Sequence, residues 1–209
     1  MSQTQRLYLV TPALDDPAAF APQLEAAVAG AASAAVLLRL GAADERTLID
    51  RAKAIVPVAQ RRDVAVLLDG HPEIAARAGA DGAHLFGTKA FAAAVALLKP
   101  DRIAGAGGLF SRHDAMLAAE TGADYVMFGE PDRKRGGRRP PFADVVERLT
   151  WWADLFEIPC VGYAAGLDEV APLAQTGAEF VALGEWIWTQ PQGAAATIAA
   201  AAKTLGAPD

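Results

Sequence analysis

The stretch GADYVMFGE, residues 122–130, joins a glycine turn to a short apolar run that ends in a carboxylate. Two similar stretches occur elsewhere, GADGAHLFG at residues 79–87 and GAEFVALGE at residues 177–185. In each of them a glycine is suited to end a helix in a left-handed conformation, and an acidic residue is suited to cap the turn before an apolar strand. The recurrence predicts one helix–turn–strand unit that is used several times along the chain.

Eight apolar runs of strand length alternate with helical patterns. The predicted strands are residues 7–12, 34–40, 64–69, 82–86, 102–107, 125–130, 159–164 and 180–185. The predicted helices include residues 45–60, 111–121, 142–156, 168–176 and 193–205. Because the strand runs are continuously apolar, they indicate parallel strands that are buried on both faces. Eight such units predict a single (β/α)₈ TIM barrel over residues 1–209, in preference to a doubly wound open sheet.

Composition, charge and cysteine content argue against several kinds of partner and fit a reducing cytoplasm. The net charge of −6 argues against a nucleic-acid partner, even though residues 131–141, PDRKRGGRRPP, are basic. No signal peptide is recognisable, and no apolar run reaches the roughly 20 residues that span a bilayer. The single cysteine, Cys160, excludes an internal disulfide and fits a reducing compartment. We therefore expect no membrane and no nucleic-acid partner.

Candidate functional residues follow from the rule that TIM-barrel active sites lie at the carboxyl ends of the strands. Arg39 ends the second predicted strand and is suited either to bind an anion or to form a salt bridge with Asp69. Asp69 is suited to hold Mg²⁺, to act as a base, or to cap the next helix. His84 lies inside a strand, where it is either a substrate-binding residue or a packed core histidine.

Glu130 is the strongest catalytic candidate. It follows an apolar strand and faces the basic segment 131–141. A carboxylate in that position can act as a general acid or base, with its pKa set by burial and by nearby cations. The alternative is a structural anchor for Arg133 or Lys134. Lys134 is also a candidate for binding substrate.

Small residues follow the seventh and eighth predicted strands, where TIM barrels often bind phosphate through backbone N–H groups. Ala165, Gly166 and Gly184 are the candidates, with Arg39 adding positive charge. Glu185, next to Gly184, would repel an anion. The small residues and Arg39 therefore predict a small phosphorylated ligand, whereas Glu185 argues against one.

These motifs resemble the thiamine phosphate synthase superfamily, which includes the thiazole tautomerases. The resemblance covers about residues 7–187 and rests on LYLVTP, VLLR, LLD, GADGAHL, IAGAG, GADYVMFG, CVGYAAGL and GAEFVALG. It implies a (β/α)₈ barrel and a cytoplasmic homodimer. It also implies a transferase that joins an aminopyrimidine diphosphate to a thiazole phosphate, with Mg²⁺ as cofactor and diphosphate as leaving group.

The catalytic motifs of the synthases are only partly kept. Arg39 and Asp69 match a synthase arginine and one metal-binding aspartate, whereas Lys89 stands where a second metal-binding aspartate is expected. Leu37 and Leu68 replace polar residues and are expected to make this corner of the site apolar. Since diphosphate with Mg²⁺ needs several oxygen ligands around one centre, these differences argue against coupling chemistry and leave Asp69 as a weak metal site.

Other differences bear on proton transfer. Gly107 replaces a serine of the synthases, and Glu130 stands where the tautomerases have a histidine. The leading hypothesis is a thiamine phosphate synthase-like barrel of thiamine metabolism that binds a small phosphorylated heterocycle, with Glu130 as acid or base. The alternatives are a non-catalytic ligand-binding or regulatory barrel and a tautomerase-like proton-transfer enzyme. At this point the sequence leaves open whether the chain is an enzyme at all.

Overall fold

The fold is a closed barrel of eight parallel strands, paired in the order β1 to β8. A computed structural model describes residues 5–29, 33–132 and 136–206. The strands are β1 (Arg6–Leu14), β2 (Ser33–Leu40), β3 (Ala65–Asp69), β4 (Gly82–Phe86), β5 (Ile103–Gly107), β6 (Tyr125–Phe128), β7 (Cys160–Ala164) and β8 (Phe180–Leu183). Pairing of β1 with β8, from Arg6 opposite Phe180 to Leu9 opposite Leu183, closes the ring. The predicted TIM barrel is confirmed.

A helix follows every strand. The helices are α1 (Pro17–Ala29), α2 (Glu45–Gln60), α3 (Pro72–Ala78), α4 (Thr88–Ala94), α5 (Arg112–Glu120), α6 (Phe142–Leu155), α7 (Val170–Ala174) and α8 (Ala194–Thr204). Short 3₁₀ turns at Leu167–Glu169 and Glu185–Thr189 follow β7 and β8. Within the described ranges, no helix is long and apolar enough to cross a bilayer. That residues 1–209 form one domain stays a prediction.

Two strands end earlier than predicted. β6 ends at Phe128 because Gly129 has φ +91°, a left-handed conformation that breaks the strand and turns Glu130 towards the mouth of the barrel. β8 ends at Leu183 because the chain enters a 3₁₀ turn after Gly184. Glu130 and Glu185, which were predicted to end these two strands, therefore lie in the segments that follow them.

Successive strand residues point alternately into the barrel and out towards the helices. The interior cluster consists of Tyr8, Val10, Ala35, Leu37, Leu67, Tyr125, Met127, Val161, Tyr163 and Ala182. A larger outer cluster fills the space between strands and helices and includes Leu68 and Trp152. The expectation that Leu68 lines the diphosphate corner was therefore wrong, since its side chain packs on the helix side, whereas Leu37 does face the interior.

The acidic residue of each repeated stretch bonds to the neighbouring strand. Its carboxylate accepts the N–H near the start of that strand: Asp81 from Val66 at 2.6 Å, Asp124 from Ala104 at 2.7 Å and Glu179 from Cys160 at 2.8 Å. The sequence suggested a turn cap, but the structure gives these carboxylates a different role. They tie β3 to β4, β5 to β6 and β7 to β8, which helps to fix the strand register around the barrel.

Candidate active site

A histidine–glutamate pair lies at the carboxyl end of β4 and β6, inside the mouth of the barrel. His84 Nε2 is 3.0 Å from Glu130 Oε1, and the backbone N–H of Gly108 donates to Glu130 Oε2 at 2.9 Å. The His84 side chain is 0% exposed and that of Glu130 is 4% exposed. Because buried carboxylates need hydrogen-bond donors, this pair forms a specific polar centre within an apolar barrel. The structure thus brings two predicted site residues together.

Glycine at position 107 makes room for the pair. A Cβ atom on Gly107 would lie 1.8 Å from Glu130 Oε2 and 2.3 Å from His84 Nε2, both far inside van der Waals contact. A serine, which the synthases carry at this position, would meet the same obstruction. The loss of the serine and the presence of Glu130 are therefore structurally coupled.

Two tyrosines that the sequence did not suggest extend the polar centre into the barrel. Tyr125 hydroxyl is 2.8 Å from His84 Nδ1, and Tyr8 hydroxyl is 2.8 Å from that of Tyr125. Burial raises the pKa of Tyr8 and of Tyr125 well above the ordinary value for tyrosine, so both keep their protons. Gly105 was the sequence feature that could have indicated Tyr125, because a Cβ atom on Gly105 would lie 2.2 Å from the Tyr125 hydroxyl.

Arg39 bridges two carboxylates at the mouth. Its Nε is 3.4 Å from Asp69 Oδ2, and its Nη1 is 2.8 Å from Glu185 Oε2. The salt bridge to Asp69, one of the two roles predicted for Arg39, is therefore present. The exposed Glu185 side chain adds a second negative charge beside the same guanidinium.

The residues around Asp69 are not suited to bind the Mg²⁺ that the family resemblance implies. Asp69 is engaged by a cation, and the position of the second expected aspartate carries Lys89. Among residues 5–29, 33–132 and 136–206, no three His, Cys, Asp or Glu side chains cluster so that they could hold a metal ion. Hard divalent cations require several oxygen ligands in one place.

The predicted phosphate-binding residues lie at the mouth, after β7 and β8. The backbone N–H of Ala165 donates to Glu169 Oε2 at 2.7 Å, and that of Gly184 donates to the Ala164 carbonyl at 3.2 Å. Gly166 directly precedes the 3₁₀ turn after β7. A Cβ atom on Gly184 would lie 2.3 Å from the Tyr163 hydroxyl, so only glycine fits there. A phosphate bound at Ala165 would have to displace Glu169.

Arg139 holds the loop after β6 against the barrel, a role that the sequence did not reveal. Its guanidinium donates to the carbonyls of Gly129 at 2.8 Å and Tyr163 at 2.9 Å, and it pairs with Glu169 at 3.0 Å. One end of the predicted basic segment is thus fixed at the mouth. Lys134, predicted to bind substrate, and Arg133, its alternative partner for Glu130, lie outside the described residues.

A basic groove runs beside the mouth. One cavity of about 450 Å³ is lined by Phe110, Asp132, Arg138, Arg139, Pro140 and Arg148. A second cavity of about 360 Å³ shares Phe110 and Asp132 with the first and adds Lys89 and Gly108 to the lining. Gly108 is the residue that donates to Glu130, so the groove adjoins the buried pair. Its cations make it suited to an anionic group.

The sequence profile of the thiamine monophosphate synthase family matches residues 7–187. The thiamine-phosphate synthase of Rhodospirillum centenum is 41% identical over 196 residues, which cover 93% of this chain and 94% of that protein. The thiamine-phosphate synthase of Hyphomonas neptunium is 36% identical, over 93% of this chain and 91% of that protein.

Solved structures share the fold at lower identity. Thiamine phosphate pyrophosphorylase from Pyrococcus furiosus superposes with a TM-score of 0.78 at 19% identity, covering 98% of this chain and 97% of that one. 3-Hexulose-6-phosphate synthase from Salmonella typhimurium superposes with a TM-score of 0.74 at 16% identity, covering 96% and 98%. These two similarities support the shared barrel fold only. The match of the family profile and of relatives over nearly the whole chain shows that this protein belongs to the thiamine monophosphate synthase family.

Proposed function

We propose that this protein serves thiamine metabolism by binding a small phosphorylated heterocycle at the mouth of the barrel and moving a proton on it. The observation that carries the proposal is the buried pair of Glu130 and His84, 3.0 Å apart at the catalytic end of the barrel. Burying an isolated carboxylate costs free energy, and here hydrogen-bond donors offset that cost. A carboxylate held next to a histidine at the mouth is suited to accept and return a proton.

Glu130 is the group that touches the substrate in this proposal. The Gly108 N–H donates to one carboxylate oxygen, and His84, in the tautomer with its proton on Nε2, donates to the other, which holds the carboxylate in one orientation. In a tautomerisation, Glu130 accepts a proton from one atom of the heterocycle and a proton is returned to another atom. One bond to hydrogen breaks and one forms, and the composition of the ligand does not change, so the reaction needs no co-reactant.

The phosphate of the ligand is proposed to lie beside this pair. Two regions are suited to it: the small residues Ala165, Gly166 and Gly184, and the basic groove that adjoins Gly108. The first requires Glu169 to leave the Ala165 N–H. The second already presents Arg138 and Lys89. Lys134, which follows β6, is proposed to add positive charge.

The test is turnover of a thiazole phosphate tautomer by the purified protein, followed by proton NMR with a chelator present. Glu130→Gln keeps the size of the side chain but removes the base, so conversion should fall by about 10²–10⁴. Arg62→Gln, an exposed change at the amino end of the barrel, is the matched control and should convert at the wild-type rate. Equal conversion by wild type and Glu130→Gln would contradict the acid–base role.

Thiamine phosphate formation is a second candidate, because the relatives at 41% and 36% identity carry the name thiamine-phosphate synthase. The fluorescent thiochrome assay, with aminopyrimidine diphosphate, thiazole phosphate and Mg²⁺, decides this point. Product above a protein-free blank would establish coupling and show that other residues replace the missing metal ligands. A ligand that raises the melting temperature without being converted would instead identify a binding protein.

A further inference from the structure

Four side chains form a continuous hydrogen-bonded series along the inside of the barrel. Tyr8 hydroxyl lies 2.8 Å from Tyr125 hydroxyl, Tyr125 hydroxyl 2.8 Å from His84 Nδ1, and His84 Nε2 3.0 Å from Glu130 Oε1. All four residues are buried. The acid–base step proposed above uses Glu130 and its partner His84, which leaves the two tyrosines without a function.

The inner end of the series reaches a cavity at the amino end of the barrel. Tyr8 and Tyr125 both line this cavity, whose volume is about 170 Å³. Arg6 and Phe180, which are exposed and half-buried, also line it, so it is continuous with the surface. A water molecule occupies about 30 Å³ of liquid volume. The cavity is large enough for water, and Arg6, Tyr8 and Tyr125 are the polar residues of an otherwise apolar lining.

We propose that Tyr8, Tyr125 and His84 form a proton wire that connects Glu130 to solvent at the amino end of the barrel. The inference rests on the proposed function for its use, since Glu130 is the group that handles the substrate proton. A ligand that fills the mouth would obstruct the path from Glu130 to bulk water on that side. The wire gives Glu130 a path on the opposite side of the barrel.

Each transfer along the wire conserves protons. A hydronium ion gives a proton to the Tyr8 oxygen and becomes water, the Tyr8 proton moves to the Tyr125 oxygen, and the Tyr125 proton moves to His84 Nδ1. The proton on His84 Nε2 then passes to Glu130 Oε1. His84 stays neutral and changes only its tautomer, and both tyrosines remain protonated. The reverse sequence removes a proton from Glu130.

The surroundings favour hydroxyls that relay protons without ionising. Because burial raises the pKa of both tyrosines, each hydroxyl stays neutral and can donate and accept at once. Asp69 on β3 interacts electrostatically with Tyr125, and Tyr163 on β7 interacts with Glu130; Arg39 on β2 neutralises part of the Asp69 charge. From β5, Ile103 packs near the two tyrosines, and Gly105 leaves space for the Tyr125 hydroxyl.

A purely structural network would hold the His84 ring in place without moving protons, and hydrogen exchange separates the two roles. NMR of the free protein can follow exchange of the His84 Nε2 proton with water. The wire predicts that this proton exchanges faster than the backbone amides of β4, which exchange only when the structure opens. Exchange as slow as those amides in the wild type would overturn the proposal.

The variant Tyr8→Phe breaks the wire at its solvent end and removes only one hydroxyl. Exchange of the His84 Nε2 proton should slow by at least about tenfold, as expected when only structural opening remains. If the wild-type signal is lost through fast exchange, it should appear in Tyr8→Phe. Tyr163→Phe is the matched control, since Tyr163 is the remaining tyrosine and lies outside the series, and it should exchange like the wild type. An unchanged rate in Tyr8→Phe would show that protons enter through the mouth.

A second measurement ties the wire to catalysis. During turnover in D₂O the wild type should place solvent deuterium in the product, because Glu130 exchanges its proton through the wire. Tyr8→Phe should instead return the original proton and leave the product less deuterated. Absence of turnover in the wild type would contradict the proposed function alone, because the exchange experiment on the free protein decides the wire independently.

Discussion

Replacing Gly107 by alanine should be far more damaging than a single methyl group suggests. The added Cβ would lie 1.8 Å from Glu130 Oε2 and 2.3 Å from His84 Nε2, and neither side chain has exposed space into which it could move. Forcing atoms into a packed interior costs about 1–3 kcal/mol. Loss of a hydrogen bond to a buried charged group costs a further 1.5–3 kcal/mol, approximately. The expected loss is about 2.5–6 kcal/mol in the free energy of unfolding.

Urea unfolding, followed by circular dichroism, measures this loss. Gly41→Ala is the control, because its nearest neighbour is the carboxylate of Asp15, whose side chain is 83% exposed and can turn away. That variant should stay within about 0.5 kcal/mol of the wild type. Adding Glu130→Ala should recover part of the stability of Gly107→Ala, since the nearest obstruction is removed. A Gly107→Ala protein as stable as Gly41→Ala would refute the packing described for the mouth.

Three further outcomes are expected. Arg139→Lys loses the hydrogen bonds to the Gly129 and Tyr163 carbonyls and should lower the free energy of unfolding by about 1–3 kcal/mol. An unchanged midpoint in urea unfolding would show that Arg139 does not anchor the loop. Burial raises the pKa of the Cys160 thiol, so it should resist alkylation in the native protein and react only in denaturant; mass spectrometry would reveal native labelling if this is wrong. Burial of Cys160 and Tyr125 keeps their protons on the folded chain above the ordinary pKa values of 9.0 and 10.0, where the unfolded chain releases them. The free energy of unfolding should therefore be insensitive to these groups below pH 9.0 and fall as pH rises past 9.0 and 10.0; constant stability through that range would contradict the burial.

The strands and the barrel were predictable because parallel strands that are buried on both faces leave continuous apolar runs. The ends of β6 and β8 were not, since a left-handed Gly129 and a 3₁₀ turn after Gly184 end them early. Leu68 was assigned to the wrong face because a continuously apolar strand does not show which residues point inward. That distinction depends on the closed barrel and on its register.

Glu130 and His84 were predicted from the sequence as site residues, but their contact with each other was not. The strand-end rule selected Glu130 and His84 separately, yet their contact joins residues from β4 and from the loop after β6, and only the barrel brings them together. In the sequence, Tyr8 and Tyr125 look like ordinary aromatic residues of apolar strands. Gly105 and Gly107, alternate residues of β5, were the signal that large side chains from neighbouring strands cross the interior there. Arg139 gave no local signal within its basic segment.

The central claim is that Glu130 and its histidine partner move a proton on a phosphorylated heterocycle without a metal. It is tested most directly by the NMR time course of a thiazole phosphate tautomer with chelator present, run with wild type and Glu130→Gln. The account predicts conversion by the wild type and a loss of about 10²–10⁴ in the variant. No conversion by the wild type, or equal conversion by both proteins, would contradict it.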